Sequence, residues 1–117
     1  MTRPLGPYTP IVRAGDWLVV SGQVGLGEAG LVEGGVPAQT SQIIANIAAL
    51  LEGEGAALTD VVKTLCFLID MGDFATFNDA YIGGFGDHRP ARSTIGVAAL
   101  PGGAAVEIEA WAYVGPR

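Results

Sequence analysis

Arg92 asks most plainly for a chemical explanation, because Pro90-Ala91-Arg92-Ser93-Thr94 sets a guanidinium at the start of an otherwise apolar extended run. A charge in such a place needs a partner. Two readings follow from the residues alone. One is an ion pair with Glu107 or Glu109 across neighbouring strands or subunits. The other is ligand binding, since the planar fork of arginine matches a carboxylate in a bidentate way, each charge-assisted bond contributing roughly 1.5 to 3 kcal/mol.

Other chemistry-bearing residues are few. His88 is the sole histidine, so any Ser-His-Asp or Cys-His scheme must use it as the base. In the polar run Asp87-His88-Arg89 it reads as a solvated turn residue, with a place at the rim of a site as the alternative. Cys66, the sole cysteine, lies inside an apolar run and reads as a small buried hydrophobe rather than a reactive thiol. It allows no internal disulfide, and no Cys or His cluster offers the three or four ligands of a zinc site, so no metal is expected. Gly25-Leu26-Gly27-Glu28-Ala29-Gly30 matches GxGxxG after an extended run. A dinucleotide fingerprint must open directly onto a helix, whereas Gly34, Gly35 and Pro37 follow within a few residues, so an ordinary glycine-rich loop is expected.

The elements that must position these residues can be read from periodicity. Ile11-Val12-Arg13-Ala14 and Asp16-Trp17-Leu18-Val19-Val20-Ser21 flank the turn Gly15-Asp16 and read as a β-hairpin. Gly25 to Pro37 holds five glycines and reads as a loop entering a helix, Pro37 suiting the first turn. From Thr40 to Glu54, Ile43, Ile44, Ile47, Leu50 and Leu51 recur at helical spacing until Gly53 and Gly55. Val61 to Ile69 is rich in strand formers. A second helix is marked by Phe74, Phe77, Tyr81 and Phe85, with Asp73 near its start and Gly83, Gly84 and Gly86 fraying its end. A strand from Ala91 to Val97, the turn Pro101-Gly102-Gly103 and a strand from Ala105 to Val114 complete the chain. In that last strand Val106, Ile108, Ala110, Ala112 and Val114 share one face, and Glu107, Glu109, Trp111 and Tyr113 the other. The order ββαβαββ predicts an α+β fold, two helices on one face of a mixed sheet, in a single domain over residues 1–117.

Charge narrows the function. Six Lys plus Arg against twelve Asp plus Glu give a net charge of -6, the wrong sign for holding nucleic acid by phosphate neutralisation. Only 15% of residues are charged, where an ordinary soluble domain carries roughly 25%. So little charge implies that apolar surface is covered by another copy of the chain, and a homo-oligomer is expected. No apolar stretch approaches the length of a membrane span, and Met1-Thr2-Arg3-Pro4-Leu5-Gly6 does not read as a signal peptide. A cytoplasmic protein without membrane contact is expected.

Several runs in one order resemble the RidA/YjgF family: Gly6-Pro7-Tyr8, Val20-Ser21-Gly22-Gln23, Asp60-Val61-Val62-Lys63, Asp73-Phe74 through Asn78 to Tyr81, Pro90-Ala91-Arg92-Ser93 and Glu107-Ile108-Glu109-Ala110. Each is short, but together they span nearly the whole chain. The resemblance implies a chorismate-mutase-like fold, a homotrimer whose sheets enclose a barrel, and ligand clefts between adjacent subunits. It also implies an imine/enamine deaminase, hydrolysing 2-aminoacrylate/2-iminopropanoate and 2-iminobutanoate to 2-keto acids and ammonia without cofactor or metal. By the same resemblance Arg92 would grip the substrate carboxylate, Tyr8 and Asn78 would line the cleft, packing and helix-surface roles being the alternative for those two, and Ser21, Gly22 and Thr94 would supply contacts largely through backbone. Glu107 would hold or activate water, a structural pairing being the alternative for that residue. Thr94 departs from the cysteine common in the family, and the turn before Pro90 is shorter, which bears on substrate preference. A non-enzymatic trimer that binds small carboxylates for regulation, or offers a chaperone-like surface, is the alternative function. An endoribonuclease, as some family names suggest, conflicts with the acidic charge and the lone histidine.

Overall fold

The computed structural model describes residues 5–117. Residues 1–4 lie outside the described residues, so of the run Met1 to Gly6 only Leu5 and Gly6 enter the account. Runs rich in β-branched and aromatic residues give β1 (Ile11–Ala14) and β2 (Trp17–Gln23), joined at Gly15, whose φ of 60° is the left-handed conformation such a turn requires. Between β2 and the first helix the glycine-rich segment folds as a miniature hairpin, β3 (Leu26–Gly27) against β4 (Gly30–Leu31), closing on itself instead of opening onto a helix. A dinucleotide loop is thereby excluded.

Helix α1 (Gly35–Glu52) starts earlier than its apolar stripe implies, with Pro37 in its first turn, and buries Ile43, Ile44, Ile47, Leu50 and Leu51. Strand β5 (Val61–Leu68), helix α2 (Phe74–Phe85), strand β6 (Ala91–Gly96) and strand β7 (Val106–Tyr113) follow. Gly83 and Gly84 do not fray α2; they lie inside it, and Gly84 is where the two helices touch, since a Cβ there would stand 2.5 Å from Ile44 Cδ1. Gly86 caps the end.

The main sheet is mixed, with order β1-β2-β7-β5-β6; the β5–β6 pair is parallel and the others antiparallel. Val106, Ile108, Ala110 and Ala112 of β7 are fully buried against the helices together with Leu18, Thr64, Cys66 and Leu68. This is the α+β arrangement expected, two helices on one face. The other face carries Val19, Leu65, Phe67, Glu107, Glu109, Trp111 and Tyr113, all half-buried in the single chain and covered by no other element. No helix among the described residues is long and apolar enough to cross a membrane.

Candidate functional site

Strand β6 is the edge of the sheet, and its register against β5 fixes where Arg92 points. Arg92 pairs with Thr64 and Thr94 with Cys66, and in a parallel pair these partners share a face, so both side chains stand on the helix side. Thr64 is fully buried, and its hydroxyl meets the Tyr81 hydroxyl at 2.8 Å. The Arg92 guanidinium therefore lies over α2, 4.9 Å from the Tyr81 ring centre, 5.4 Å from that of Phe77 and 5.5 Å from that of Phe74. Three ring faces attract and orient the cation without neutralising it. Phe77 and Tyr81 are core residues, as their spacing implies, whereas Phe74 is 39% exposed and serves as an outer wall for the guanidinium.

No carboxylate pairs with Arg92 among the described residues: the ion pairs are Arg13 with Glu54 and Arg117 with Asp60. Within one chain the alternative of an Arg92 pair with Glu107 or Glu109 is thus not realised, because both glutamates stand on the opposite face of β7. Arg92 instead lines a cavity of about 290 Å³ with Asn78, Tyr81, Ile82, Arg89 and Pro90. Two buried polar atoms here lack a hydrogen-bond partner, Asn78 Oδ1 and Thr94 Oγ1. Buried polar groups are seldom left unmatched, and of these two residues Asn78 lines the cavity beside Arg92. Thr94 lies beside Cys66, but the thiol donates to Thr64 Oγ1 at 3.8 Å instead. Burial pushes the Cys66 thiol up to about 11, against weaker opposing influences of Thr64, Arg92 and Thr94.

The remaining predicted residues lie on β2, on β7 and in the segment before β1. Tyr8 is 43% exposed in the segment before β1, its hydroxyl accepting the Leu5 N–H at 3.1 Å. Ser21 ties that segment down: its hydroxyl donates to the Thr9 carbonyl at 2.6 Å and its N–H to the Pro10 carbonyl at 2.9 Å. Past Val20 the register of β2 against β7 shifts, and in this irregular stretch Gly22 lies under Glu107. Partial burial raises the Glu107 carboxyl above the usual carboxylate range, and the negative charge of Glu109 on the same face raises it further. Burial also raises Glu109. A carboxyl so placed holds a proton more readily than a solvated one, which suits a group that exchanges protons with water.

The chain therefore brings the predicted residues together as two groups rather than one. Arg92, Asn78 and Thr94 are gathered at the β6 edge; Gly22 and Glu107 meet on the open face, with Ser21 in the same strand tying down the segment that carries Tyr8. Arg89 and the aromatic collar of Arg92 were not anticipated as site residues. The collar shares its spacing with an ordinary core stripe, and Arg89 carries no signal beyond lying three positions before Arg92.

His88 corrects the expectation of a solvated turn histidine. Half-buried, it donates from Nε2 to the Val61 carbonyl at 2.7 Å and packs near Phe85, fastening the turn before β6 to the start of β5. No group of three or more His, Cys, Asp or Glu residues able to hold a metal ion occurs among the described residues.

Comparison with known proteins gives a consistent picture. The family described as Endoribonuclease L-PSP matches residues 1–114. A RutC family protein of Pyrococcus horikoshii is 42% identical over 115 residues, covering 95% of this chain and 90% of that protein. The 2-iminobutanoate/2-iminopropanoate deaminase of Mus musculus is 43% identical over 114 residues, covering 96% of this chain and 84% of the mouse protein. The crystal structure of RidA from the Antarctic bacterium Psychrobacter sp. superposes with a TM-score of 0.91 at 38% identity, covering 96% of this chain and 92% of that one.

Proposed function

The chain belongs to the RidA/YjgF family, and from that premise we propose that it hydrolyses reactive 2-imino acids and their enamine tautomers, such as 2-aminoacrylate/2-iminopropanoate and 2-iminobutanoate, to 2-keto acids and ammonia. The observation that carries this reading is a guanidinium without a carboxylate partner, held over three aromatic rings at the wall of a cavity. In a chain of net charge -6 such a cation is kept for an anionic ligand.

Arg92 takes the substrate carboxylate through its fork and thereby fixes the neighbouring C=N carbon. An enamine is first protonated at C3, giving the imine. Water then adds to C2, forming a C–O bond while the π electrons of C=N move to nitrogen and are protonated. The amine of the resulting carbinolamine takes up a proton, the C–N bond breaks with its electron pair going to nitrogen, which leaves as ammonia, and the hydroxyl proton is lost to give the keto acid. Each step needs a proton delivered or removed, and Glu107, with its raised affinity for a proton, is the group suited to hold the water and carry that proton. Asn78 lines the same cavity and borders the bound substrate, and Thr94 contributes through its backbone.

Arg92 and Glu107 stand on opposite faces of the sheet, so one chain alone does not complete this chemistry. The half-buried open face, with Trp111, Tyr113 and Phe67, and the low charge content support association of copies, which in this reading form a homotrimer, the β6 edge of one copy meeting the β2–β7 face of the next. Tyr8, Ser21 and Gly22 then close the cleft around the ligand. A nuclease is not supported: the net charge is -6, and the one histidine donates to a backbone carbonyl.

The test is a coupled assay generating 2-aminoacrylate, with loss of the imine followed directly. The purified chain accelerates hydrolysis, and Arg92→Ala and Arg92→Lys each remove most of the gain, lysine because a point charge does not reproduce the fork. An undiminished rate in either variant refutes the role of Arg92. Saturable keto-acid binding with no turnover of any imine establishes the carboxylate-binding alternative instead.

A further inference from the structure

Arg92 does not line its cavity alone. Arg89 lines it too, and among the described residues these are the two arginines that pair with no carboxylate, whereas Arg13 and Arg117 each find one. Two like charges on one cavity repel unless an anion lies between them. In a chain where acids outnumber bases by twelve to six, two arginines on one cavity without a carboxylate partner mark it as a place that attracts anions.

The local geometry holds Arg89 in readiness. Its Nη1 donates to the carbonyls of Gly86 and His88, and His88 is itself fastened to Val61 at 2.7 Å. Nη2 and Nε make no hydrogen bond among the described residues, so one edge of the fork remains for a ligand. Pro90 fixes the backbone between the two arginines, whose Cα atoms, three residues apart, are separated by no more than about 11 Å. Ile82, Tyr81 and Pro90 supply apolar wall around the two cations. The cavity thus offers two guanidinium groups and apolar wall together. That matches a diacid in charge, and leaves one cation unmatched when a monoacid binds.

We infer that Arg89 is a second carboxylate-recognising group, and that this site prefers 2-imino acids, and their 2-keto products, that carry a second carboxylate at the far end of the chain. The substrate class rests on the deaminase reading; the preference for a diacid does not, and binding measures it without turnover.

Calorimetric titration of the full-length protein with 2-oxoglutarate and with 2-oxobutanoate supplies the binding readout. The expected result is tighter binding of the diacid by about tenfold or more, with Arg89→Gln and Arg89→Ala each reducing that ratio to within about twofold and Arg89→Lys retaining part of it. Arg92→Ala weakens both ligands. Equal affinity for the two in the unmodified protein, or a ratio unmoved by Arg89→Gln in a variant that melts normally, overturns the inference. The corresponding imines, generated by an amino-acid oxidase from glutamate and from 2-aminobutanoate, separate the two proposals. Hydrolysis of both with a kcat/KM ratio indifferent to Arg89 sinks the inference and leaves the deaminase reading standing. No hydrolysis, with an Arg89-dependent preference in binding, does the reverse.

Discussion

The Glu107 carboxylate lies against the backbone of Gly22: a Cβ built on Gly22 would stand 2.5 Å from Oε2 and 2.8 Å from Cδ. Gly22 has no positive φ, so nothing in its backbone forbids alanine; only the carboxylate does. Because that carboxylate is the far end of a flexible chain, Gly22→Ala is accommodated by rotating Glu107 away, at little cost in stability. The expected outcome is a loss of about tenfold to a hundredfold in kcat/KM for imine hydrolysis with a nearly unchanged melting temperature. Full activity in this variant disposes of the view that the position of Glu107 matters.

The same carboxyl makes stability depend on pH with a defined sign. Its folded-state affinity for the proton is raised by burial first and by Glu109 second, so the folded chain binds a proton more tightly than the unfolded one. Its stabilising contribution is complete below the ordinary carboxylate value of 4.5 and is lost as pH rises through the raised value. Glu107→Gln abolishes that loss. Urea unfolding at about pH 4 and about pH 7 is expected to show the glutamine variant gaining on the parent as pH rises; a difference that is constant or shrinks with pH contradicts the assignment.

Much of this arrangement is legible in the residues. Strict alternation from Val106 to Tyr113 set the two faces of β7, and the Ile43, Ile47 and Leu50 spacing set the buried side of α1, because one buried face imposes one period. Arg92 stood out because a cation in an apolar strand is anomalous. What stayed hidden depends on tertiary geometry. The β3–β4 hairpin has strands of two residues, too short for any period, and α1 starts at the glycine pair Gly34 and Gly35, at φ of 114° and 68°, which carry no helical signal. The separation of Arg92 from Glu107 follows from the parallel register of β6, which no local pattern encodes.

Cys66 is expected to be chemically silent. It is fully buried, and its thiol is pushed up to about 11, so thiolate is scarce at neutral pH. A disulfide reagent should label the native protein at least about a hundredfold more slowly than the urea-unfolded chain. Complete labelling of native protein within minutes is incompatible with the burial described.

Two adjacent glycines of α2 should respond to alanine with opposite signs. Both lie inside the helix, where alanine is intrinsically better than glycine by roughly 0.5 to 1 kcal/mol. At Gly83 a Cβ meets nothing within 4 Å, so Gly83→Ala should stabilise by about that amount. At Gly84 the same atom stands 2.5 Å from Ile44 Cδ1 and 2.9 Å from Cγ2, and Ile44 is 2% exposed, so no rotation into free space relieves the contact. Overpacking of this kind costs about 1 to 3 kcal/mol, more than the helical gain, and Gly84→Ala should destabilise. The clash is specific to the branched side chain opposite. Ile44→Ala therefore leaves a cavity on its own and should be partly rescued by Gly84→Ala, the two changes coupling in a double-mutant cycle. Additive effects in urea unfolding, or stabilisation by Gly84→Ala in the parent, would show that the helices do not meet at this glycine.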